Sequence, residues 1–180
     1  MFLATIVLFL LASLIQSSLI LLQQRGETLT RWWGQRAFPV YNVITLIPWT
    51  AFVVVYVALQ FQPHPELSLP GPWFQVIGAL LLFAGAVLSG WVAVLLGPAK
   101  LNGLRFFDPA IQYRRVPSGP FRLMKNPMYT GFFFIFLGVA LWKDSLYSLA
   151  IALESIIVLN GVQAWVENQG LVHTNAGEHE

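Results

Sequence analysis

The sequence predicts an all-α integral membrane protein with about five transmembrane helices. Of its 180 residues, 57% are hydrophobic and only 10% are charged, whereas soluble domains carry about 25% charged residues. The apolar residues come in long runs, most of them close to the roughly 20 residues that a helix needs to cross the hydrocarbon layer. Because these runs are continuous rather than alternating, they favour helices over a closed β-barrel.

Five apolar segments give the predicted helices, namely residues 1–24, 37–65, 67–99, 126–142 and 145–166. The first has no basic residue before its apolar run and no small-residue cleavage site, so we expect a retained helix rather than a signal peptide. The last two flank a Lys143-Asp144 turn and are expected to form a hairpin. Glu154 is the one charge inside the last segment.

The basic residues predict the orientation in the membrane. Nine of the ten fall on one side if the chain crosses five times: Arg25, Arg31, Arg36, Lys100, Arg105, Arg114, Arg115, Arg122 and Lys125. Cytoplasmic loops carry the excess of lysine and arginine. We therefore expect the N-terminus outside, and the loop 100–125 and the C-terminal tail on the cytoplasmic side.

The chain divides into three predicted parts: a three-helix transmembrane scaffold (1–96), a loop with a helical hairpin (97–171) and a short polar tail (172–180). The loop before the hairpin has about 29 residues rich in glycine, proline, arginine and aromatic side chains, which is too long for a simple connection. There is no cysteine, and the three histidines are scattered, so we expect no metal site. Nothing indicates a nucleic-acid partner.

The stretch KNPMYTGFFF, residues 125–134, predicts a helix start. Asparagine is a favoured N-cap, and proline suits the first helical position. A helix N-terminus that faces a cationic loop is also suited to bind an anion, because its N–H groups are unpaired and its dipole end is positive. Asn126-Pro127 therefore marks either a cap alone or an anion site.

The last predicted helix carries Asn160, Gln163 and Glu167 at spacings that place them on one face of an α-helix. This face is either a polar stripe along a cavity or the solvated end of a helix leaving the membrane. Glu154 lies on a different face, and a carboxylate within a membrane helix is a functional candidate by default.

The segment SGPFRLMKNPMYTGFFFIFLGVAL, followed by AWVENQGL, resembles the membrane methyltransferases that include isoprenylcysteine carboxyl methyltransferase and phosphatidylethanolamine N-methyltransferase. The resemblance covers about residues 97–171. It implies an S-adenosylmethionine cofactor in a cytoplasmic pocket under the hairpin, and a lipid or lipid-like substrate. The positions that it marks for the cofactor are Arg114, Arg115, Val116, Phe121, Asn126, Pro127, Met128, Tyr129 and Glu167; Asn160 and Gln163 are the candidate substrate residues.

Departures from the family pattern narrow the expected function. Asn168 replaces the second of two glutamates, and Gln163 stands where the carboxyl methyltransferases, by resemblance, place an arginine for the substrate carboxylate. A neutral side chain there favours an amine acceptor over a prenylcysteine carboxylate. Two alternatives stay open: a non-enzymatic membrane scaffold with a decayed site, and a related nicotinamide-dependent reductase. Phe132, at a position where such reductases have an acidic residue, speaks against the reductase.

Overall fold

The computed structural model describes residues 1–108 and 119–166, and these residues form an all-helical bundle without a β-strand. The predicted fold class is confirmed. The helices are α1 (Phe2–Gly26), α2 (Thr28–Trp33), α3 (Ala37–Leu59), α4 (Trp73–Leu101), α5 (Pro127–Trp142) and α6 (Leu146–Ser155), which continues as a π-helix (Ile156–Gln163). Three short 3-10 turns cover Gly34–Arg36, Leu104–Phe106 and Gly119–Arg122.

Four helical stretches are long and apolar enough to cross a membrane: Phe2–Gly26, Thr28–Leu59, Trp73–Phe106 and Leu146–Val166. The remaining predicted segment, the fourth along the chain, forms α5, which is apolar but has only 16 residues, or about 24 Å at 1.5 Å per residue. All five predicted segments are therefore helical, and the fourth is shorter than the roughly 30 Å hydrocarbon layer.

The long helices alternate in direction. At one end of the bundle, the Phe2 ring stacks on Tyr147 with 4.2 Å between centroids, and Glu66 pairs with Ser145 between α5 and α6. At the other end, the rings of Tyr41 and Phe107 are 5.1 Å apart. This alternation is what five crossings require, and the side that each end faces stays a sequence prediction.

Glycines bring the backbones of α4 and α5 into contact. Gly78 and Gly85 on α4 face Gly138 and Gly131 on α5, and the two glycines of each helix are seven positions apart. A Cβ added to Gly85 would lie 2.6 Å from the carbonyl oxygen of Gly131, and one added to Gly138 would lie 2.5 Å from the backbone nitrogen of Leu82. Only glycine fits these positions, as is typical of tightly packed membrane helices.

The register of this glycine interface determines where α5 begins. Counting from these contacts to the start of α5 puts Asn126 at the level of Gly90 along α4. The helical geometry of α4 is interrupted seven residues later at Gly97, whose φ of 72° and ψ of 160° suit glycine alone. Seven residues correspond to about 10 Å, so the N-terminus of α5 lies recessed below the last turn of α4.

Two apolar clusters fill the bundle at different depths. One joins α1, α3, α5 and the π-helix through Phe9, Phe52, Phe136 and Leu159. The other lies toward the Gly26 end and includes Ile20, Leu29, Ala37, Tyr41 and Val166. Between these clusters along α1 lies Gln16, so a polar layer separates the two apolar ones.

Candidate functional site

A cavity of about 770 Å³ lies inside the bundle, within the usual size range of small-molecule sites. Its walls come from α1, α3, the C-terminal part of α4, the segment before α5, α5 itself and the π-helix. It therefore brings together the start of α5 and one residue of the polar motif on the last helix, Gln163.

One end of this cavity is polar and cationic. Lys100, Asn102 and Arg105 line it from the end of α4 and the turn that follows, and Lys125 and Asn126 line it from the start of α5. Among the described lining residues there is no carboxylate and no histidine. This mouth is therefore complementary to an anionic group, because opposite charges attract strongly where water is partly excluded.

Asn126 occupies the N-cap position of α5, but its side chain makes no cap hydrogen bond. The backbone carbonyl of Asn126 accepts from the Thr130 amide at 3.1 Å and from the Thr130 hydroxyl at 3.2 Å. Asn126 thus stands at the predicted N-cap position, but its side chain does not cap the helix. Because the residue lines the cavity, its amide group remains available to a ligand.

The cavity also contains most of the predicted cofactor residues. Phe121, Pro127, Met128 and Tyr129 line it together with Asn126. Pro127 occupies the first helical position, as predicted from the sequence, and it is fully buried. The other predicted cofactor residues, Arg114, Arg115, Val116 and Glu167, lie outside the described residues.

The two predicted substrate residues, Asn160 and Gln163, both lie in the π-helix but differ in their contact with the cavity. Gln163 is buried at 3% exposure and lines the cavity, whereas Asn160 is half-buried and is not among the lining residues. The prediction of a shared face assumed α-helical winding. A π-helix bonds residue i to i+5 and so puts more residues in each turn, with the result that positions three apart no longer face the same way.

Sequence reasoning missed the contribution of α1 and α3. Gln16 lines the cavity and accepts hydrogen bonds from Trp49 Nε1 at 2.7 Å and from Gln163 Nε2 at 3.3 Å. A signal for it exists in the sequence, because Ser13, Gln16 and Ser17 recur at helical spacing inside an otherwise apolar run.

The cavity reaches the lipid-facing surface beside α3. Leu46, Val53 and Val57 line it and are also 64%, 52% and 50% exposed. Opposite them the wall is formed by Val92 and Leu96 of α4. On this side the cavity is therefore bounded by apolar side chains that are themselves exposed on the outside of the bundle.

Comparison with protein families supports an assignment at this point. The family model of the phospholipid methyltransferases (PEMT) matches residues 73–174, a range that begins with α4 and includes the start of α5 and Gln163. No curated protein and no solved structure matches the chain. The family match covers more than half of the 180 residues and confirms the resemblance seen in the sequence. The chain therefore belongs to the phospholipid methyltransferase family.

Proposed function

We propose that the protein transfers a methyl group from S-adenosylmethionine to the amine of a membrane lipid. The observation that carries this proposal is that one cavity combines a cationic mouth, the recessed start of α5 and an opening to the lipid beside α3. A cofactor that enters from water and an acceptor that stays in the bilayer can meet only in a site open to both.

The residues at the mouth fit the cofactor. When bound, S-adenosylmethionine supplies an activated methyl group on a sulfonium, so the protein has little covalent chemistry to perform. Lys100, Lys125 and the N-terminus of α5 suit its carboxylate. The aromatic rings of Phe121 and Tyr129 suit the sulfonium cation through cation–π attraction.

The acceptor is expected to be an amine. The side chain at position 163 is a neutral amide that bonds to another neutral amide, Gln16, so it offers no counterion to a substrate carboxylate. Attack on the methyl group requires an amine in its unprotonated form. Nearby cations and partial desolvation both disfavour an ammonium, and the cationic mouth and apolar walls provide these two conditions.

The protein's own part in the reaction is then positioning. The lateral opening holds the hydrocarbon chains of the lipid, and the recessed start of α5 holds the cofactor. Bringing the two reactants into line lowers the entropy cost of the reaction, and closing the site to water protects it. The described lining residues include no carboxylate and no histidine, so the lipid ammonium is expected to release its proton to solvent at the mouth before the amine attacks.

Ligand-dependent thermal stability of the detergent-purified protein tests the cofactor. S-adenosylmethionine and S-adenosylhomocysteine should raise the melting temperature, because a ligand that binds only the folded state stabilises it, and NADPH should not. A shift with NADPH alone would replace the proposal by the reductase alternative. No shift with any of the three would favour the scaffold alternative.

Transfer of a radiolabelled methyl group tests the acceptor. Phosphatidylethanolamine and its partly methylated forms should accept the label faster than a prenylcysteine carboxylate presented in the same detergent. Faster labelling of the carboxylate would refute the amine assignment while leaving cofactor use intact.

A further inference from the structure

The polar layer at mid-depth is built from three helices. Gln16 lies ten residues from Gly26, about 15 Å along α1, and Trp49 lies near the middle of α3. The carbonyl oxygen of Gln16 accepts one hydrogen bond from Trp49 and one from Gln163 in the π-helix. An amide oxygen has two lone pairs, so these two donors occupy both.

This arrangement directs N–H donors into the cavity. With its oxygen occupied, Gln16 retains two N–H groups on Nε2, and the residue lines the cavity. The wall away from the mouth is largely apolar and aromatic, with Phe9 and Phe52. Beside Gln16 and Gln163, the lining also includes the polar side chains of Asn42, Thr45 and Gln60. A donor in such surroundings needs an acceptor, because an unpaired polar group at membrane depth is costly.

We infer that Gln16, held by Trp49 and Gln163, donates a hydrogen bond to the ester carbonyl of the lipid acceptor and thereby determines its linkage specificity. The inference rests on the proposed function and deepens it. A lipid whose amine lies at the cationic mouth carries its uncharged ester groups deeper in the membrane. Neutral donors in an apolar wall match an uncharged carbonyl, whereas a phosphate is better matched by the cations at the mouth.

Gln16 and Trp49 both lie outside the segment 73–174 that matches the family. The N-terminal helices are therefore assigned a part in substrate recognition, in addition to forming a scaffold. Gln16 acts as a specificity-determining residue, and Trp49 acts as the positioning residue that holds it.

The test compares two lipids that differ only in the carbonyl: a diacyl phosphatidylethanolamine and its dialkyl ether analogue. The wild type should methylate the ester lipid about three- to tenfold more efficiently, the range expected for one neutral hydrogen bond. Gln16→Met keeps the approximate size of the side chain and removes its donors together with the oxygen that accepts from Trp49 and Gln163. In this variant the ester-to-ether ratio should fall to near one.

Gln23→Met is the matched control on the same helix. Gln23 is buried and bonds Thr30 at 2.7 and 3.1 Å, and it does not line the cavity. This variant should lose stability and keep the wild-type ester-to-ether ratio. A purely structural role for Gln16 predicts the same behaviour for both variants.

Each outcome decides between the inference and the proposed function. Equal methylation of the two lipids by the wild type, which requires no variant to fold, would overturn the inference alone. An ester-to-ether ratio in Gln16→Met equal to that of the wild type would also overturn it. So would a loss of S-adenosylhomocysteine affinity in Gln16→Met as large as its loss of activity on the ester lipid, because Gln16 would then contact the cofactor rather than the lipid. If the wild type methylates neither lipid and binds no cofactor, the proposed function is wrong and the inference falls with it.

Discussion

At the scale of single residues, the start of α5 separates two roles that an asparagine before a proline can have. A capping side chain bonds to the backbone of its own helix, as Ser145 does at the start of α6, where its hydroxyl accepts from the Ser148 amide at 3.3 Å. Asn126 stands at the same helical position without such a bond and lines the cavity instead. We therefore propose that the side chain of Asn126 binds a ligand rather than capping the helix.

Alanine substitutions at these two positions should have opposite effects. Asn126→Ala should lower S-adenosylhomocysteine affinity about two- to tenfold, the loss of one neutral hydrogen bond, and should change the melting temperature little. Ser145→Ala should cost about 1 kcal/mol of stability and leave affinity unchanged. Calorimetric titration measures the affinity of both variants, and thermal unfolding measures their stability. If Asn126→Ala loses stability without losing affinity, Asn126 serves only to cap the helix.

Glu167 is predicted to bind the other end of the cofactor, through a donor group of its amino acid or ribose. It follows Val166 at the end of the described residues, four positions after Gln163, which lines the cavity. Glu167→Gln keeps the size and polarity of the side chain and removes a charged hydrogen bond of about 1.5–3 kcal/mol. We expect affinity for S-adenosylmethionine to fall about ten- to a hundredfold, as measured by calorimetry.

Glu154→Gln is the control for this substitution. Its carboxylate oxygens are buried without a hydrogen-bond partner among the described residues, and Glu154 does not line the cavity. Cofactor affinity should therefore stay close to that of the wild type. Equal affinities of the wild type and Glu167→Gln would make Glu167 an ordinary solvated helix end.

At the scale of the elements, the pairing of α4 with α5 determines the depth of the site. The glycines lock one register between the helices, and that register recesses the start of α5 by about 10 Å relative to Gly97. A side chain at Gly78 or Gly85 would overlap backbone atoms of the facing helix, so the two helices would have to move apart. We therefore expect the depth of the proposed cofactor site to depend on Gly78 and Gly85, although neither residue lines the cavity.

Two glycine substitutions on α4 test this dependence. Gly85→Ala places a Cβ 2.6 Å from the carbonyl oxygen of Gly131 and should cost about 1–3 kcal/mol, with weaker cofactor binding because the α5 start moves. Gly90→Ala meets nothing within 4 Å and should be neutral or slightly stabilising, because alanine is the better helix former. Thermal unfolding in detergent with and without S-adenosylhomocysteine compares them, and identical behaviour of the two variants would rule out the glycine interface.

At the scale of the whole molecule, alternating helices place the connection after α3 and the α5–α6 turn at one end of the bundle, and the cationic mouth at the other. The nine-to-one distribution of basic residues predicts that the mouth is cytoplasmic.

Cysteine labelling measures this topology directly, because the chain has no cysteine of its own. A cysteine at Gln62, which is exposed at the opposite end of the bundle, should react with an impermeant reagent on intact cells. Cysteines at Ser118 and Thr174 should react only after the membrane is opened. If the cysteine at Ser118 or the one at Thr174 reacts on intact cells, the predicted topology is wrong.

The sequence by itself determined the helical membrane fold, the approximate helix limits and the family. It also singled out five residues that the structure then places in the lining of the cavity: Phe121, Asn126, Pro127, Met128 and Tyr129. These depend on local properties: apolar runs of sufficient length, and a motif whose residues are neighbours in the chain. Only the tertiary structure decided that Gln16 bonds to Gln163, 147 positions away, that glycine pairs recess the start of α5, and that π-helical winding parts Asn160 from Gln163. Each of these follows from how helices pack against one another, and side-chain contact between distant segments is not encoded in the spacing of either segment alone.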